Sequence, residues 1–426
     1  MTPTRSFPFP PGLALPSSPV VRASSITSPT LPRPPRKRAL LIGIQADLGP
    51  GYPRLRAAHS DVHKTRSLLL DCYGYAPADI TVLLDDGVVG HVQPLAVNVL
   101  AAIDYLVKDV RAGDRLFFYY SGHSTQEPND TRTEEDGMDE FIVPLDGLDH
   151  KIKDDDLHRS LVAPLPAGSH LVALLDTCHS GSLLDLTHFR CNRVYVPWRW
   201  RRKHDSADVG RRYAAARNNA MLPRNSTAAS PGSPTSYAKK RRSATEGEGQ
   251  VFRLGEKVLF CDSPSSEFCT GWCRDKKRGP WDYSAGLVHA DVISLAAAKD
   301  SQQAWEGKGA VSLTSCLVDL LRENQDVTLE EVLRSASFAA YKMSLGRHND
   351  AHGRRTFLKA SQKKLADWCK ALDPTNLKCA RACRAILALV PLVREQRKQG
   401  RGDMDSFQNP EMASAAPLDM QRKWVM

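Results

Sequence analysis

Leu171-Val-Ala-Leu-Leu-Asp176-Thr-Cys178-His-Ser-Gly181 is the stretch on which the reading of this chain turns, and Tyr120-Ser-Gly-His123 places a histidine 55 residues before Cys178. Both halves share one grammar: an apolar run stops abruptly in a small polar turn that carries a reactive side chain. Leu116 to Tyr120 reads as a buried strand delivering His123, and Leu171 to Leu175 as a second buried strand delivering Cys178. Parallel α/β sheets gather their chemistry beyond the carboxyl ends of the strands. Two neighbouring ends would set an imidazole beside a thiol, which is the outline of a hydrolase with a cysteine nucleophile. Taken singly, a cysteine after a strand is as a rule a small core residue, and a histidine beside glycine a turn residue. Their joint occurrence in Ser/Gly-flanked turns carries the reading.

The flanking pattern supplies the fold class. Ala39 to Ile44 reads as a strand, and Leu55 to Asp71 as a helix with Leu68, Leu69 and Leu70 at its buried end and Tyr73-Gly74 as its stop. Ile80 to Leu84 is a strand, and Leu95 to Ala112 a helix with Val99, Ile103, Leu106 and Val110 on one face. This alternation predicts an α/β protein with a mostly parallel central sheet flanked by helices. Residues 1–37, rich in Pro and Ser, read as a disordered leader. Residues 38–197 form the region with the His/Cys pair, and 198–250 a basic disordered linker without apolar periodicity. Residues 251–426 complete the sheet: a strand at Val292 to Leu295, helices at Val311 to Leu321 and Leu329 to Tyr341, and a basic helical insertion over about 350–403. Within that insertion, Lys363 to Arg397 reads as two helices broken at Asp373-Pro374.

Composition narrows the setting. The 426 residues are 42% hydrophobic with a net charge of +10, and the mean hydropathy is −0.38. No apolar run approaches the roughly 20 residues of a spanning helix, and the N-terminus lacks the features of a secretory signal. Ten cysteines without a framework suit a reducing compartment. A cytoplasmic location follows, with Lys239-Lys-Arg-Arg242 adding the nucleus as a second place. Cys269/Cys273 and Cys379/Cys383 lack histidine partners at finger spacing and read as plain thiols rather than zinc ligands. The basic excess lies in Arg33 to Arg38 and Trp198 to Arg242, where aromatics are few. That pattern reads as disorder, so no specific nucleic-acid or membrane partner is expected. A monomer without an organic cofactor is the expectation.

Asp176-Thr-Cys-His-Ser-Gly-Ser182, Tyr120-Ser-Gly-His123 and Asp136-Gly-Met-Asp-Glu140 together resemble the type I metacaspases, a caspase-like cysteine peptidase family of fungi, plants and protists. The resemblance runs from about Ala39 to Asp185, and resumes at Val292 to Gln302 and near Phe407. It implies a caspase-like fold and a zymogen that cuts after Arg or Lys, in programmed cell death or protein quality control. Cys178 is then the nucleophile and His123 the general base and acid. His179 is a rival base by proximity, although an adjacent residue should point away. The backbone N–H groups of Gly122 and Cys178 are the natural oxyanion donors.

In the family the residue matching Asp176, with the one matching Asp61, forms the floor of the pocket for the residue before the cut. Two such carboxylates select a guanidinium or ammonium. Ser121 joins them as a substrate-binding candidate. Read without the resemblance, Asp61 simply caps or solvates its helix. The family also binds activating calcium at places matching Asp139, Asp154, Asp155 and Asp185. Read alone, Asp154-Asp-Asp156 is a helix N-cap and Asp185 a turn residue. Three departures stand out: Ser124 where the family has Gly, Ala298 where it often has a second Cys, and the basic 198–250 segment. That segment offers Arg212, Arg217 and Lys239 to Arg242 as self-processing sites. The alternatives are a catalytically silent caspase-like scaffold and a thiol redox protein, the latter lacking a resolving cysteine in the motif.

Overall fold

The computed structural model describes residues 33–89, 91–129, 137–188, 192, 251–254, 257–260, 289–300, 302–307, 311–371, 377–404 and 408–426. The expected leader up to residue 32 and the basic linker over 198–250 lie outside them. In chain order the first half holds β1 (Lys37–Gly43), α1 (Ala58–Tyr73), β2 (Ile80–Leu84), α2 (Ala96–Val107), β3 (Arg115–Ser121), β4 (His123–Pro128), β5 (Met138–Val143), β6 (Ile152–Lys153), α3 (Asp154–Leu157) and β7 (His170–Asp176). The second half holds β8 (Val251–Leu254), β9 (Lys257–Phe260), β10 (Asp291–Ala296), α4 (Leu313–Glu323), α5 (Leu329–Ala371), α6 (Leu377–Met404) and β11 (Glu411–Ser414).

Six strands form the main sheet in the order β11-β10-β7-β3-β1-β2. All neighbours run parallel except the edge pair of β10 with β11. The central strands are buried on both sides, and their period of two sorts side chains between the faces. Leu41, Tyr119, Val172, Leu174 and Ile293 pack with Leu68 and Leu69 of α1, Leu317 and Leu321 of α4, and Val332 and Leu333 of α5. Leu40, Ile42, Phe118, Tyr120, Leu171 and Ala173 pack on the other face with Val99, Ile103 and Leu106 of α2 and with Leu157 and Leu161. Smaller sheets, β4-β5-β6 and the hairpin β8-β9, stand apart. No helix among the described residues is long and apolar enough to cross a membrane.

Several expectations need correction. The helix expected to reach Ala112 ends at Val107, because Lys108 is extended and Asp109 takes φ +55; Val110 reaches the core from the turn instead. The first helix starts at Ala58 rather than Leu55, and Gly74, with φ +65, is its stop. His123 opens a strand instead of lying within a turn. The polar string His123–Pro128 gives no apolar alternation, so only its antiparallel pairing with β5 reveals it. The helix starting at Leu329 continues for 43 residues rather than stopping at Tyr341. Asp373 and Pro374 themselves lie between α5 and α6, outside the described residues.

Phe118 is fully buried on β3. Phe118→Ala should cost about 3–5 kcal/mol through lost transfer energy and the cavity left behind. Urea unfolding followed by far-UV circular dichroism should show the midpoint falling at an unchanged slope.

Candidate active site

The pairing of β3 with β7 sets Ser121 opposite Asp176. The chain therefore leaves both strands at the same end, carrying Gly122-His123 and Thr177-Cys178 out side by side. Hydroxyl groups stitch the two exits. Thr177 Oγ1 lies 2.8 Å from both the Gly122 carbonyl and Ser124 Oγ, and Ser124 Oγ donates to the Cys178 carbonyl. Ser124 thus ties directly to the backbone of Cys178. Gly122 has no alternative: a Cβ there would lie 2.7 Å from the Tyr120 hydroxyl oxygen. That hydroxyl is needed where it is, donating to the carbonyls of His123 (2.7 Å) and Val143 (3.0 Å).

His123 Nε2 donates to the Pro53 carbonyl at 2.8 Å, and Tyr52 packs against the ring edge-on with centroids 5.4 Å apart. Burial pushes the imidazole below its ordinary value, so near neutral pH it is an uncharged ring with Nδ1 left as the acceptor. The Cys178 thiol is pushed up to about 11, chiefly by burial. Its Sγ lies 3.7 Å from the Ala304 carbonyl oxygen. Residues 302–307 form a strap across this thiol. The strap's Gln302 carbonyl accepts His179 N–H at 3.0 Å, Trp305 N–H donates to Gln408 at 3.0 Å, and Asn409 N–H donates to Gln302 at 2.9 Å. His179 takes φ +46 and hydrogen-bonds the Asp300 carbonyl. It is turned into the strap's base and away from the role of rival base.

Asp61 of α1 is fully buried, and among the described residues no hydrogen bond reaches either of its oxygens. Lys64 Nζ stands 3.8 Å from Oδ1. Burial and then the charge of Asp176 push the Asp61 carboxyl up to about 7, and the nearby Ser312 hydroxyl only moderates this. Asp176 Oδ2 accepts from the Thr314 backbone N–H (3.0 Å) and hydroxyl (2.6 Å). Burial nonetheless raises its pKa, and Glu306 adds to the rise. Ser121 is buried at the register position opposite Asp176, beside the Tyr119 hydroxyl. The plain helix-cap reading of Asp61 fails, since the cap of α1 is Glu306: its carboxylate accepts from Arg56 N–H (2.9 Å) and Ala57 N–H (2.8 Å). Glu306 and Thr314 were not legible in the sequence. They come from the strap and α4, about 250 residues from the helix that Glu306 caps, and no local pattern marks them.

Asp139, Asp154 and Asp155 also come together, each offering an oxygen within 4.8 Å of the others. Burial raises Asp154 to about 6, and the charge of Asp185 acts in the same direction, which places Asp185 nearby. Asp154 accepts from the N–H groups of Glu140 (3.1 Å) and Asp155 (2.7 Å). The expected N-cap role fails here too: Lys153, not an aspartate, holds the cap position of α3, with no side-chain cap. Hard carboxylate oxygens suit calcium. Two of the three are engaged by Lys153, whose Nζ lies 3.1 Å from Asp139 and 2.7 Å from Asp155.

Residues 37–187, which hold both strand exits and the acidic cluster, match the family model described as metacaspase, peptidase C14 domain. This part of the chain is similar to the metacaspases. The match to Metacaspase-1 of Coccidioides immitis is 44% identical over 155 residues, 36% of this chain and 33% of that one. Metacaspase-1 of Cryptococcus neoformans is 43% identical over 154 residues, with the same shares. Metacaspase-1A of Aspergillus niger is 44% identical over 155 residues, 36% of this chain and 38% of its own. The chain thus spans about a third of the length of these curated relatives, all fungal. A solved structure from Geobacter sulfurreducens superposes with a TM-score of 0.39 at 17% identity, covering 71% of this chain and 89% of that one. The sheet is mostly parallel and flanked by helices on both faces, a caspase-like arrangement.

A carboxyl that titrates near 7 when folded and near 3.8 when unfolded binds more protons in the native state between those values. Stability should therefore fall as pH rises from about 4 to 7 and level off above. Asp61→Asn removes that loss, so the variant should gain on wild type across the same window. Urea midpoints at a series of pH values check this; a constant difference between the two proteins would mean that Asp61 titrates normally.

Proposed function

We propose that this chain is a metacaspase-like cysteine endopeptidase that hydrolyses peptide bonds after Arg or Lys. The observation that carries the reading is the shared exit of β3 and β7, where His123 and Cys178 leave the sheet together beside the mutually interacting carboxylates of Asp61, Asp176 and Glu306. A basic side chain entering this pocket would ionise Asp61 and replace its missing hydrogen bonds, so the cost of that buried carboxylate becomes selectivity for a cation. In the reaction, His123 takes the Cys178 proton and the thiolate attacks the scissile carbonyl. The N–H groups of Gly122 and Cys178 donate to the oxyanion, and His123 returns the proton to the leaving amine. Ser121 helps to line the pocket.

The raised pKa of the thiol and its contact with Ala304 support reading this arrangement as a resting state. Attack requires the 302–307 strap to release the sulfur, which supports zymogen behaviour. Calcium is proposed as the trigger, held by Asp139, Asp154 and Asp155 with Asp185 once Lys153 has moved away. When bound, the ion would fix the loop conformations around these carboxylates. Glu140, next to Asp139, already accepts from Ser182 Oγ at 2.7 Å, four residues past Cys178. The bonds after Arg212, Arg217 and Lys239 to Arg242 are the proposed self-processing sites. The same capped thiol also favours a second reading, a silent caspase-like scaffold, which the following measurement separates from the first.

Purified protein should cleave fluorogenic peptides ending in Arg or Lys and spare those ending in Asp. Cys178→Ala should abolish turnover, and His123→Ala should lower kcat by roughly 10²–10⁴-fold. No turnover of any peptide by wild type, with or without calcium, would favour the scaffold; equal turnover of Arg and Asp peptides would remove the acidic pocket from specificity.

Lys153 should compete with calcium for its ligands. By isothermal titration calorimetry, Lys153→Met should bind calcium at least about tenfold more tightly than wild type, the scale of one close charge removed in water. Asp154→Ala/Asp155→Ala should bind it far more weakly. Superimposable isotherms for all three proteins would place the ion elsewhere.

A further inference from the structure

The helices α5 and α6 pack against each other as a long hairpin that lies outside the matched residues 37–187. The buried residues of α5 end at Ala351. Beyond it the hairpin exposes Phe357, Trp368, Leu387, Leu389 and Leu392. The far part of the hairpin is therefore held by few enclosed contacts, and whatever joins its helices there matters disproportionately.

Two cysteines meet in that part. Cys369 of α5 and Cys383 of α6 are both free and half-buried. Cys369 Sγ lies 3.9 Å from the Cys383 carbonyl oxygen. The Cys369 thiol is held above its ordinary value first of all by a hydrogen bond with the Cys383 side chain. The Cys369 side chain thus reaches across the hairpin to Cys383, and both residues are open enough for a small reagent to reach them.

We infer that Cys369 and Cys383 form a redox modification site, closed to an intrachain disulfide by a low-molecular-weight disulfide such as oxidised glutathione. One thiolate, its proton lost to water, attacks a sulfur of the glutathione disulfide and expels one glutathione thiolate, leaving a mixed disulfide on the protein. The second cysteine, likewise deprotonated, attacks the protein sulfur of that mixed disulfide and expels the second glutathione. The protein loses two hydrogens and two electrons, and one glutathione disulfide becomes two glutathiones. Reduced glutathione reverses both steps. The cross-link closes the chain between α5, anchored in the core, and α6. The latter leads to Gln408 and Asn409, which hold the strap over Cys178. The inference does not depend on peptidase activity.

The test uses the full chain carrying Cys178→Ala, so that neither self-cleavage nor the active-site thiol interferes. The protein is equilibrated with reduced and oxidised glutathione at a series of ratios, trapped with N-ethylmaleimide in acid and digested with trypsin. The peptide of residues 365–370 should appear joined to that of 382–384 with a mass two hydrogens below the sum, and should vanish as reduced glutathione increases. Residues 379–381 and 382–384 (Cys-Ala-Arg and Ala-Cys-Arg) have the same mass, so serine variants decide between them. The linked species should persist in Cys379→Ser and be lost in Cys383→Ser and Cys369→Ser, with far-UV circular dichroism unchanged. Only singly glutathionylated peptides at every ratio, or a link that survives Cys383→Ser, would overturn the assignment.

Discussion

The register between β3 and β7 is the constraint on which everything at the site depends. Ser121 sits opposite Asp176, and because parallel strands end together their last residues emerge on one side of the sheet. A slip by a single residue would invert the faces of a strand and send its apolar residues out of place. The two large cores prevent that slip. Tyr119 and Val172 serve one face while Phe118 and Ala173 serve the other, and none tolerates exchange. Hydrophobic packing of the strand centres thereby fixes the positions of polar groups beyond their ends.

Once the exits are aligned, local polar contacts set their fine geometry. The hydroxyls of Tyr120, Thr177 and Ser124 satisfy carbonyls that leave the sheet ladder at this point, and Pro53 orients the imidazole from a different loop. The strap adds the opposite influence, engaging the thiol through Ala304 and the first helix through Glu306. One short segment thus links Cys178, the first helix and the edge of the sheet. A change in the strap reaches all three.

Charge is arranged at a cost. Asp61 is enclosed without a hydrogen bond from any described residue, beside a second carboxylate that pushes in the same direction. Folding tolerates it because a buried carboxyl near neutrality can remain protonated. The Asp139, Asp154 and Asp155 group solves a similar problem differently, with the Lys153 ammonium supplied from the same chain.

The sequence by itself determined the central strands, the order of strand and helix through the first half, the stop of α1 at Gly74, and the candidates His123 and Cys178. These are local facts: a strand buried on both faces must be an apolar run, and a glycine takes positive φ most easily. Asp61 and Asp176 were identifiable as residues through their motifs, but not as a buried pair. Only the tertiary structure decided that Glu306 caps α1, that Thr314 holds Asp176, that Ala304 covers the thiol, that Lys153 engages the acidic cluster and that Cys369 faces Cys383. Each of these joins parts of the chain whose proximity is set by packing. A carboxylate's partner or a sulfur's neighbour has no period in the sequence, because hydrogen bonds and charges act across space wherever the cores happen to bring them.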